Sequence, residues 1–361
     1  MQVTAAPPAA GPVSRSPTRL ARSGLGWLFL GCLGVLAALR LILSFADNPS
    51  LFIEQVINGL QLGFMYALIA LGYTLVYGIV KLINFAHGDV FMVGAFVSYY
   101  AVTRYTVNQL PAKWFGNLPP ALSSLLGSLL VIVVAMAVCA ALAATIERVA
   151  YKPLRNAPRI AALITAIGVS FFLEYYGALP FVFSSNYIIY ERPFEITSWE
   201  VGGVRISSMT LIIIAVALLV LLLLQWIVRR TKMGKAMRAT SFDKPTARLM
   251  GINVDAVITF TFVLGASLAA IASVLYAIAY PQLIVFMGIM PGLKAFVAAV
   301  LGGIGSIPGA FVGGLIMGQV EALSAHTLST TMRDAIAFAI LILVLLIRPQ
   351  GLFGEPEGEK V

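Results

Sequence analysis

Six polar or ionisable side chains that interrupt apolar stretches are the first candidates for chemistry in this chain of 361 residues. They form two groups in the sequence, which are Asn58, Gln61 and Tyr66 and then Asn84, His87 and Asp89. Polar side chains within a membrane span are costly unless they are paired or functional. They line solute pathways, and they also form hydrogen bonds between neighbouring helices. Both uses stay open for the first group, whose members lie broadly on one side of a helix.

The second group lies in residues 83–89, which read INFAHGD. Asp89 is placed to accept a hydrogen bond from His87 or to cap the unpaired amides at a helix N-terminus. We expect a turn on the cytoplasmic side with a capped helix start. Contact with a transported solute would require this turn to lie deep in a helix bundle.

Motifs of enzymes that bind nucleotides or activate a nucleophile are absent from the sequence. It contains no GxxxxGK[ST], GxSxG or HExxH pattern. The two histidines are too few and too scattered for a metal site, and Cys32 and Cys139 lie in apolar runs without a CxxC pair. We therefore expect no catalysis, no cofactor, no metal and no disulfide bond in this chain.

The longest polar connection, residues 229–255, carries seven basic and two acidic residues. Its apolar residues include Met233, Ala236, Met237, Ala239, Leu249 and Met250. One short helix is compatible with residues 234–239 and another with residues 245–250, which Gly251 would cap. Two such helices would form a docking surface for another protein. A solvated basic loop that only orients the chain would explain the charges but not the apolar residues.

A glycine-rich cluster in the apolar stretch 294–320 is expected either to break a helix or to serve helix packing. It contains Gly302, Gly303, Gly305, Pro308 and Gly309. A broken helix at membrane depth survives only where protein or a water-filled cavity surrounds it. The side of the C-terminal tail depends on whether the chain re-enters here, and the sequence leaves it open. The pairs Gly59 with Gly63 and Gly314 with Gly318 predict close helix packing.

Composition predicts the kind of elements that position these residues. The chain is 60% hydrophobic and 11% charged, with a mean hydropathy of +0.94. Soluble domains are roughly 45–50% apolar and about 25% charged, so lipid must cover much of this surface. The net charge of +9 reflects orientation in the membrane rather than binding of nucleic acid, because Lys and Arg collect in cytoplasmic loops.

Continuous apolar runs predict an all-α polytopic transmembrane helix bundle of about eight or nine spans, since barrel strands would alternate. The predicted spans lie near residues 24–46, 55–80, 88–103, 122–146, 160–183, 208–228, 256–280, 294–320 and 331–348. The basic connections 146–159 and 229–255 are expected inside the cell, and the acidic connection 184–207 is expected outside.

The N-terminal residues 1–23 are rich in Ala, Pro, Ser and Arg and are expected to be disordered. The run 24–46 is interpreted as an uncleaved helix rather than a signal peptide, because it is long enough to span and Arg40 interrupts it. We thus expect a lead with an extra helix at 1–48, a transmembrane domain at 49–349 and a short polar tail at 350–361.

Several segments resemble the LivH-type permeases of importers for branched-chain amino acids that are driven by ATP-binding cassette subunits. They are residues 58–60, 66–78, 83–89, 147–155, 234–239, 251–255, 301–310 and 348–354, in the family's order. Each segment alone is a weak signal, and together they are specific.

The resemblance implies a multi-pass permease in the bacterial inner membrane, surrounded by lipid. It implies three kinds of partner, which are a second related permease, two cytoplasmic ATPase subunits that bind ATP, and a periplasmic substrate-binding protein. In that setting the loop at 229–255 would be the coupling segment. The residues expected against an ATPase are Gly234, Lys235, Arg238, Ala239 and Gly251.

Alternative transport functions stay open from the sequence. The family also includes relatives that move urea or short amides, and the residues do not choose between these substrates. A stand-alone secondary transporter would need buried acids near the midplane, whereas Glu174 and Asp89 lie near the ends of predicted spans. Glu174 and Lys294 are either gate residues or side chains that extend to the membrane interface. The helix at 24–46 is extra, because the family's core usually begins near Glu54.

Overall fold

A computed structural model describes residues 35–36, 38–116, 119–155, 157–194 and 196–354 of the chain. The chain divides at Phe52 and Ile53 into two compact units. In the first unit, residues 38–47 are helical and overlap the predicted extra span at 24–46. The predicted disordered lead and most of the predicted tail at 350–361 lie outside the described residues.

From Pro49 onward the described residues form twelve α-helices and four short strands. The helices are α1 Pro49–Val80, α2 His87–Thr103, α3 Leu110–Phe115, α4 Pro120–Ile146, α5 Arg159–Gly177, α6 Ser208–Arg230, α7 Lys232–Phe242, α8 Lys244–Leu249, α9 Val254–Ala279, α10 Ile289–Gly302, α11 Ile307–Thr327 and α12 Arg333–Ile347. The strands are β1 Ile188–Ile189, β2 Ser198–Val201, β3 Val204–Ser207 and β4 Gln282–Leu283. Single 3-10 turns lie at Val107–Gln109, Lys152–Leu154, Val285–Gly288 and Thr330–Met332, and a π-helical turn lies at Glu147–Tyr151.

Eight helical segments among the described residues are long and apolar enough to cross a membrane. They are Pro49–Val80, Pro120–Leu154, Ile160–Gly177, Ser208–Arg230, Val254–Ala279, Val285–Gly302, Ile307–Thr327 and Thr330–Ile347. The predicted all-α polytopic bundle is confirmed. The predicted span at 88–103 is helix α2, which has 17 residues and is shorter than any of the eight.

The predicted span 294–320 is not one helix, because the chain breaks between α10 and α11. Gly303 and Gly305 adopt φ angles of +104° and +101° in the turn, a region that favours glycine because it lacks a Cβ. Ser306 then caps α11, since its hydroxyl accepts a hydrogen bond from the Gly309 amide at 3.2 Å. The glycine cluster thus ends one helix and starts the next.

The predicted span 160–183 is too long at its C-terminal end. Helix α5 ends at Gly177, whose carbonyl accepts a hydrogen bond from the Phe183 amide at 3.0 Å. Ser184 then has a positive φ of 70°. The chain therefore turns back on itself before the predicted end of the span.

Helices α1 and α9 form the centre of the second unit. In the most apolar 18-residue stretch of each helix, 83% of the residues of α1 and 72% of those of α9 are buried. In the corresponding stretches of α4, α5 and α6, 28%, 22% and 28% of the residues are buried, and in that of α12 only 6% are buried. A helix that is apolar all round belongs in a core, whereas these four outer helices present apolar surface to lipid or to another chain.

The basic connections gather at one end of the bundle. The Lys244 ammonium donates to the Val80 carbonyl at 3.0 Å and ties α8 to the end of α1. Arg155 forms an ion pair with Asp255 at 2.5 Å, which joins the connection after α4 to the start of α9. This end is the one expected to face the cytoplasm.

The C-terminal segment lies at the same end, which settles a point that the sequence leaves open. The amides of Leu352 and Phe353 donate to the last carbonyls of α10, each at 2.9 Å. The turn after α10 approaches the end of α1, since a Cβ on Gly78 would lie 3.5 Å from the Cα of Gly305. Residues 350–354 therefore lie beside the basic connections.

Short strands close the opposite end. β1 pairs antiparallel with β4, which joins the connection after α5 to the connection after α9. β2 and β3 form a hairpin in which Gly202 and Gly203 have φ angles of +61° and +81°. A two-residue type I′ turn requires positive φ at both positions. The connection 184–207, expected outside, thus forms a folded cover at the end remote from the basic loops.

Glycines allow α1 and α11 to touch through their backbones. A Cβ on Gly63 would lie 2.9 Å from the Cα of Leu315 and 3.2 Å from the carbonyl oxygen of Gly314. A Cβ on Gly318 would collide with the backbone of Gly63. The small-residue pairs in the sequence therefore serve close packing between these two helices.

We expect Gly318→Leu to destabilise the folded chain by about 3 kcal/mol, because the added side chain meets backbone that cannot move aside. Thermal unfolding in detergent, followed by circular dichroism, measures the effect. Gly168→Leu in α5 is the matched control, since a Cβ at that position meets nothing within 4 Å. Equal unfolding temperatures for the two variants would contradict this packing.

A cysteine at Phe242, placed in a background without Cys32 and Cys139, tests the assigned orientation. Phe242 is 91% exposed at the basic end, so we expect a membrane-impermeant maleimide to label the cysteine there only in inside-out vesicles. A cysteine at the exposed Val201, in the opposite hairpin, should react only in right-side-out vesicles. The reverse pattern would invert the topology.

Candidate functional site

Residues 83–89 fold into the bundle instead of forming a surface turn. Asn84, His87 and Asp89 are all buried. The His87 ring packs on the Tyr73 ring with centroids 4.6 Å apart. Tyr73 precedes the end of α1 by seven residues, about 10 Å along the helix axis. The turn before α2 is therefore packed inside the bundle rather than at its surface, and the predicted capped helix start is wrong.

Polar groups of this segment bond to other helices instead of capping α2. No side chain caps the first turn of α2 in the described structure. The predicted acceptance from His87 is replaced by a hydrogen bond that Asp89 accepts from the Ser170 hydroxyl of α5. Asn84 accepts from the Tyr151 hydroxyl at 2.7 Å. The segment is thus held by helices from distant parts of the sequence.

Close backbone contact places the first turn of α2 against the start of α10. A Cβ on Gly88 would lie 2.7 Å from the carbonyl oxygen of Gly288. A Cβ on Gly292 would lie 2.8 Å from the Cα of Gly88. Two helices therefore start side by side inside the bundle, which is tolerated only where protein surrounds them or they line a cavity.

A cavity of about 230 Å³ lies between α2, α5 and α10. Its polar lining consists of Tyr73, Asp89, Ser170 and Glu174. Its larger apolar lining residues are Phe85, Ile167, Phe171, Ile289, Leu293 and Phe296. Apolar walls with a few convergent polar groups are typical of sites for small molecules.

Asp89 and Glu174 form a carboxyl pair at this cavity. Both side chains are buried, so Glu174 does not extend to the membrane interface. Both carboxyls line the same cavity and interact electrostatically. In the described part of the chain, neither forms an ion pair with a basic side chain. The pair is therefore a concentration of acidic groups without a cation.

A second buried cluster joins three helices through charge. The Lys294 ammonium of α10 lies 2.7 Å from carboxylate oxygens of both Glu321 in α11 and Asp334 in α12. Arg333 adds a longer contact of 3.5 Å to each of these acids. The Tyr66 hydroxyl of α1 donates to Glu321 at 2.8 Å. Lys294 is thus a buried bridge between helices and does not extend to the interface.

The predicted group of Asn58, Gln61 and Tyr66 is divided among different surroundings. Asn58 is exposed, and Gln61 accepts a hydrogen bond from the Thr210 hydroxyl of α6 at 2.5 Å. None of the three lines the cavity. Gln61 and Tyr66 make interhelical hydrogen bonds, and their role in a pathway stays a prediction.

The basic segment α7–α8, residues 231–251, is built from two capped helices. Thr231 both ends α6 and caps α7, since its hydroxyl accepts a hydrogen bond from the Gly234 amide at 3.0 Å. Asp243 caps α8 by accepting from the Thr246 amide at 3.3 Å. One residue therefore separates each helix from the next, so that α6, α7 and α8 are joined without a flexible linker.

Gly251 terminates α8 in the manner predicted for it. The amides of Gly251 and Ile252 donate to the carbonyls of Arg248 and Ala247, each at 3.0 Å. Gly251 has a φ angle of +80°, which this Schellman ending favours. Its role in the α7–α8 segment is thus to end the helix and turn the chain toward α9.

The other predicted coupling residues differ in exposure. Lys235 and Arg238 are exposed, and Arg238 donates to the Val228 carbonyl. Ala239 is half-buried. Gly234 is buried against the last turn of α6, where a Cβ would collide with the Val228 carbonyl. Gly234 therefore positions α7, and any larger residue there would disturb this joint.

Burial is the main cause that lowers the pKa of the Lys244 ammonium at the base of α8. The nearby cations Arg155, Lys81 and Arg248 lower this pKa further. The hydrogen bond to the Val80 carbonyl offsets part of the cost of holding the charged form there. The base of the α7–α8 segment is thus fixed to α1.

Apolar side chains of the α7–α8 segment divide into an inward set and an outward set. Met237 and Ala247 are buried against the bundle. Phe242, Leu249 and Met250 are 91%, 87% and 77% exposed. We call these three residues the apolar tip. Large apolar side chains exposed on a basic segment are a candidate contact site for another protein.

Three important residues escaped prediction from the sequence. Phe242 lies in the basic loop, and its aromatic type was the available signal. Glu321 is an acid within an apolar helix, so the rule that directed attention to Asp89 applies to it as well. Ser170 carries no signal, because serine is common in membrane helices and only the fold brings it to Asp89. Within the described ranges, no group of three His, Cys, Asp or Glu side chains could hold a metal ion.

We expect Lys294→Met to cost about 3–5 kcal/mol of stability, because it removes the cation that lies 2.7 Å from the buried Glu321. Thermal unfolding in detergent measures this loss. Lys113→Met, at an exposed position, removes a lysine without burying a charge and is the matched control. The double variant Lys294→Met with Glu321→Met should recover part of the loss, and no recovery would contradict the paired-charge explanation.

Comparison with known proteins identifies the family. The family model described as branched-chain amino acid transport system / permease component matches residues 55–345. LivH of Salmonella typhimurium, a high-affinity branched-chain amino acid transport system permease protein, is 45% identical over 319 residues, covering 86% of this chain and 98% of LivH. LivH of Escherichia coli K12 is 44% identical over 322 residues, with the same coverage of both chains. BraD of Pseudomonas aeruginosa, a permease of the same description, is 41% identical over 319 residues, again with that coverage. No solved structure matches the chain significantly.

These matches extend over the transmembrane unit that contains the cavity, the buried cluster and the α7–α8 segment. The eight spans and the relatives from Gram-negative bacteria show a multi-pass protein of the inner membrane. It is a transporter subunit rather than an enzyme. The chain belongs to the family of permease components of branched-chain amino acid transport systems.

Proposed function

We propose that this chain is one of two permeases in an ATP-driven importer that moves branched-chain amino acids inward across the inner membrane. Its partners are a second related permease, two cytoplasmic ATPase subunits and a periplasmic substrate-binding protein. ATP binds to the ATPase subunits and not to this chain. The names of the relatives that match 86% of the chain support the substrate class.

The apolar tip is the observation that carries the ATP-driven mechanism. A permease that takes energy from another subunit needs a contact surface that projects from the membrane and does not deform under load. Phe242, Leu249 and Met250 supply exposed contact area. The caps at Thr231 and Asp243 supply stiffness.

The mechanism then requires the bundle to change shape when the ATPase subunits close and open. The α7–α8 segment follows α6 directly and is bound to α1 through Lys244. A shift of the apolar tip therefore moves both helices as rigid bodies, which is the usual way in which packed helices switch between two states. The cavity between α2, α5 and α10 would face the outside in one state and the inside in the other.

We expect Phe242→Asp and Leu249→Asp each to weaken binding of the ATPase subunits by about 2 kcal/mol, or roughly thirtyfold, because each removes a central apolar anchor. Co-purification with the ATPase subunits measures binding, and uptake of labelled leucine by cells measures transport. Both side chains are exposed, so the variants should accumulate in the membrane at normal levels.

Val149→Asp is the matched control, because Val149 is an exposed apolar residue at the same end of the bundle but outside the apolar tip. It should retain uptake and ATPase binding. Normal co-purification and uptake in both tip variants would exclude the α7–α8 segment as the coupling contact. Uptake of leucine without any ATPase subunit would instead favour a stand-alone transporter, and uptake of urea in place of leucine would change the substrate class.

A further inference from the structure

The described residues include four buried acids, of which two have a basic partner and two do not. Glu147 is fully buried and contacts Arg155, and Glu321 is 3% exposed and contacts Lys294. The carboxyls of Asp89 and Glu174 are also buried, with the residues 2% and 5% exposed, yet no basic side chain of the described chain pairs with either. A buried carboxylate is costly without a positive partner.

The surroundings of this pair supply a hydrogen bond and, since Asp89 lies in the first turn of α2, a helix N-terminus, but no full positive charge from the described residues. The Ser170 hydroxyl donates one hydrogen bond to Asp89. Glu174 is itself an acid, so its presence in the same cavity adds no positive charge. Both acids line the cavity, so a cation that enters it reaches their oxygens directly.

The cavity has the size and lining of a site for a small molecule with one polar end. Its volume of about 230 Å³ is room for several waters or for one small molecule. Aromatic rings of Tyr73, Phe85 and Phe296 and the side chains of Ile167 and Leu293 surround the acids. Aromatic faces attract cations, and aliphatic groups accept apolar side chains.

We propose that the cavity holds the transported amino acid during passage, with its ammonium group bound by Asp89 and Glu174. The branched apolar side chain lies against the rings and the aliphatic residues. The inference rests on the proposed function and adds to it a position for the substrate within this chain. The ligand class is a primary ammonium that carries a short apolar group.

Ser170 acts as a positioning residue in this arrangement. It lies on α5, one turn before Glu174, and its hydroxyl fixes the Asp89 carboxylate from the opposite helix. Gly88, beside Asp89, allows α10 to pack against the first turn of α2 at the cavity. A substrate that enters would therefore contact α2, α5 and α10 at once.

The test uses the assembled wild-type transporter, with its partner subunits, in phosphatidylcholine nanodiscs. Dicyclohexylcarbodiimide converts protonated carboxyls in apolar sites to stable N-acylureas, and mass spectrometry measures the modification of Asp89 and Glu174. Three additives are compared, namely leucine, 3-methylbutylamine without a carboxylate, and 4-methylpentanoate without an ammonium. Leucine and the amine should slow the modification about tenfold at ten times their dissociation constants, because protection follows occupancy.

Several results would overturn the proposal. Modification that leucine does not slow would show that the acids serve protons rather than the substrate. Equal protection by 4-methylpentanoate would show that the ammonium is not recognised. Reduced modification in discs that contain phosphatidylethanolamine, without leucine, would assign the site to a lipid headgroup.

Transport by variants gives a second, independent measurement. In proteoliposomes, Glu174→Gln and Asp89→Asn should lower the leucine transported per ATP hydrolysed about tenfold, which corresponds to about 1.4 kcal/mol. Glu200→Gln is the control, because Glu200 is an exposed acid of the β2–β3 hairpin that does not line the cavity, and it should leave this ratio unchanged. An unchanged ratio in both cavity variants would overturn the proposal. Absence of leucine transport by the wild type would instead overturn the proposed function.

Discussion

Backbone contact at glycines determines how deep each helix can lie in this bundle. Lipid does not drive helices together as water does, so association depends on close approach and on polar contacts. Gly63 and Gly318 bring α1 against α11, and Gly88 and Gly292 bring α2 against α10. The second contact holds the start of α2 inside the bundle. The cavity and the position of Asp89 follow from it.

The bundle contains buried acids with basic partners and buried acids without them. The cluster around Lys294 balances acids with cations and so fixes α10, α11 and α12 relative to α1. The pair of Asp89 and Glu174 leaves the balance incomplete at a cavity. A membrane interior makes both arrangements costly, and only the first is complete without a ligand. The contrast separates the charges that hold the fold from the charges available to a substrate.

The sequence predicted the helical bundle, most of its spans and the basic segment, because apolar length and the positions of Lys and Arg are local properties. It also located the break at Gly303 and Gly305, since glycine clusters are local too. It failed for residues 83–89, where a polar INFAHGD segment looks like a surface turn. Its burial depends on α5 and α10, which lie far away in the sequence. The partners of Asp89 and Lys294 could not be found for the same reason.

The amphipathic character of the basic loop was visible in advance, but the direction of each side chain was not. Met237 and Leu249 are equally apolar, yet the first packs inward and the second projects outward. Helical phase in α7 and α8 decides this, and the phase is set by the caps at Thr231 and Asp243. The exposure of Phe242 could therefore be recognised only in the folded segment.

Thr231 is the only residue between α6 and α7, so a movement of α7 is transmitted directly to α6. Helix α6 has 23 residues and is about 35 Å long, so a tilt of about 5° at the joint would displace its far end by roughly 3 Å. That far end is held to α1 by the hydrogen bond between Thr210 and Gln61. A displacement of this size exceeds the reach of one hydrogen bond. The hydrogen bond between Thr210 and Gln61 would therefore break when α7 moves and tilts α6.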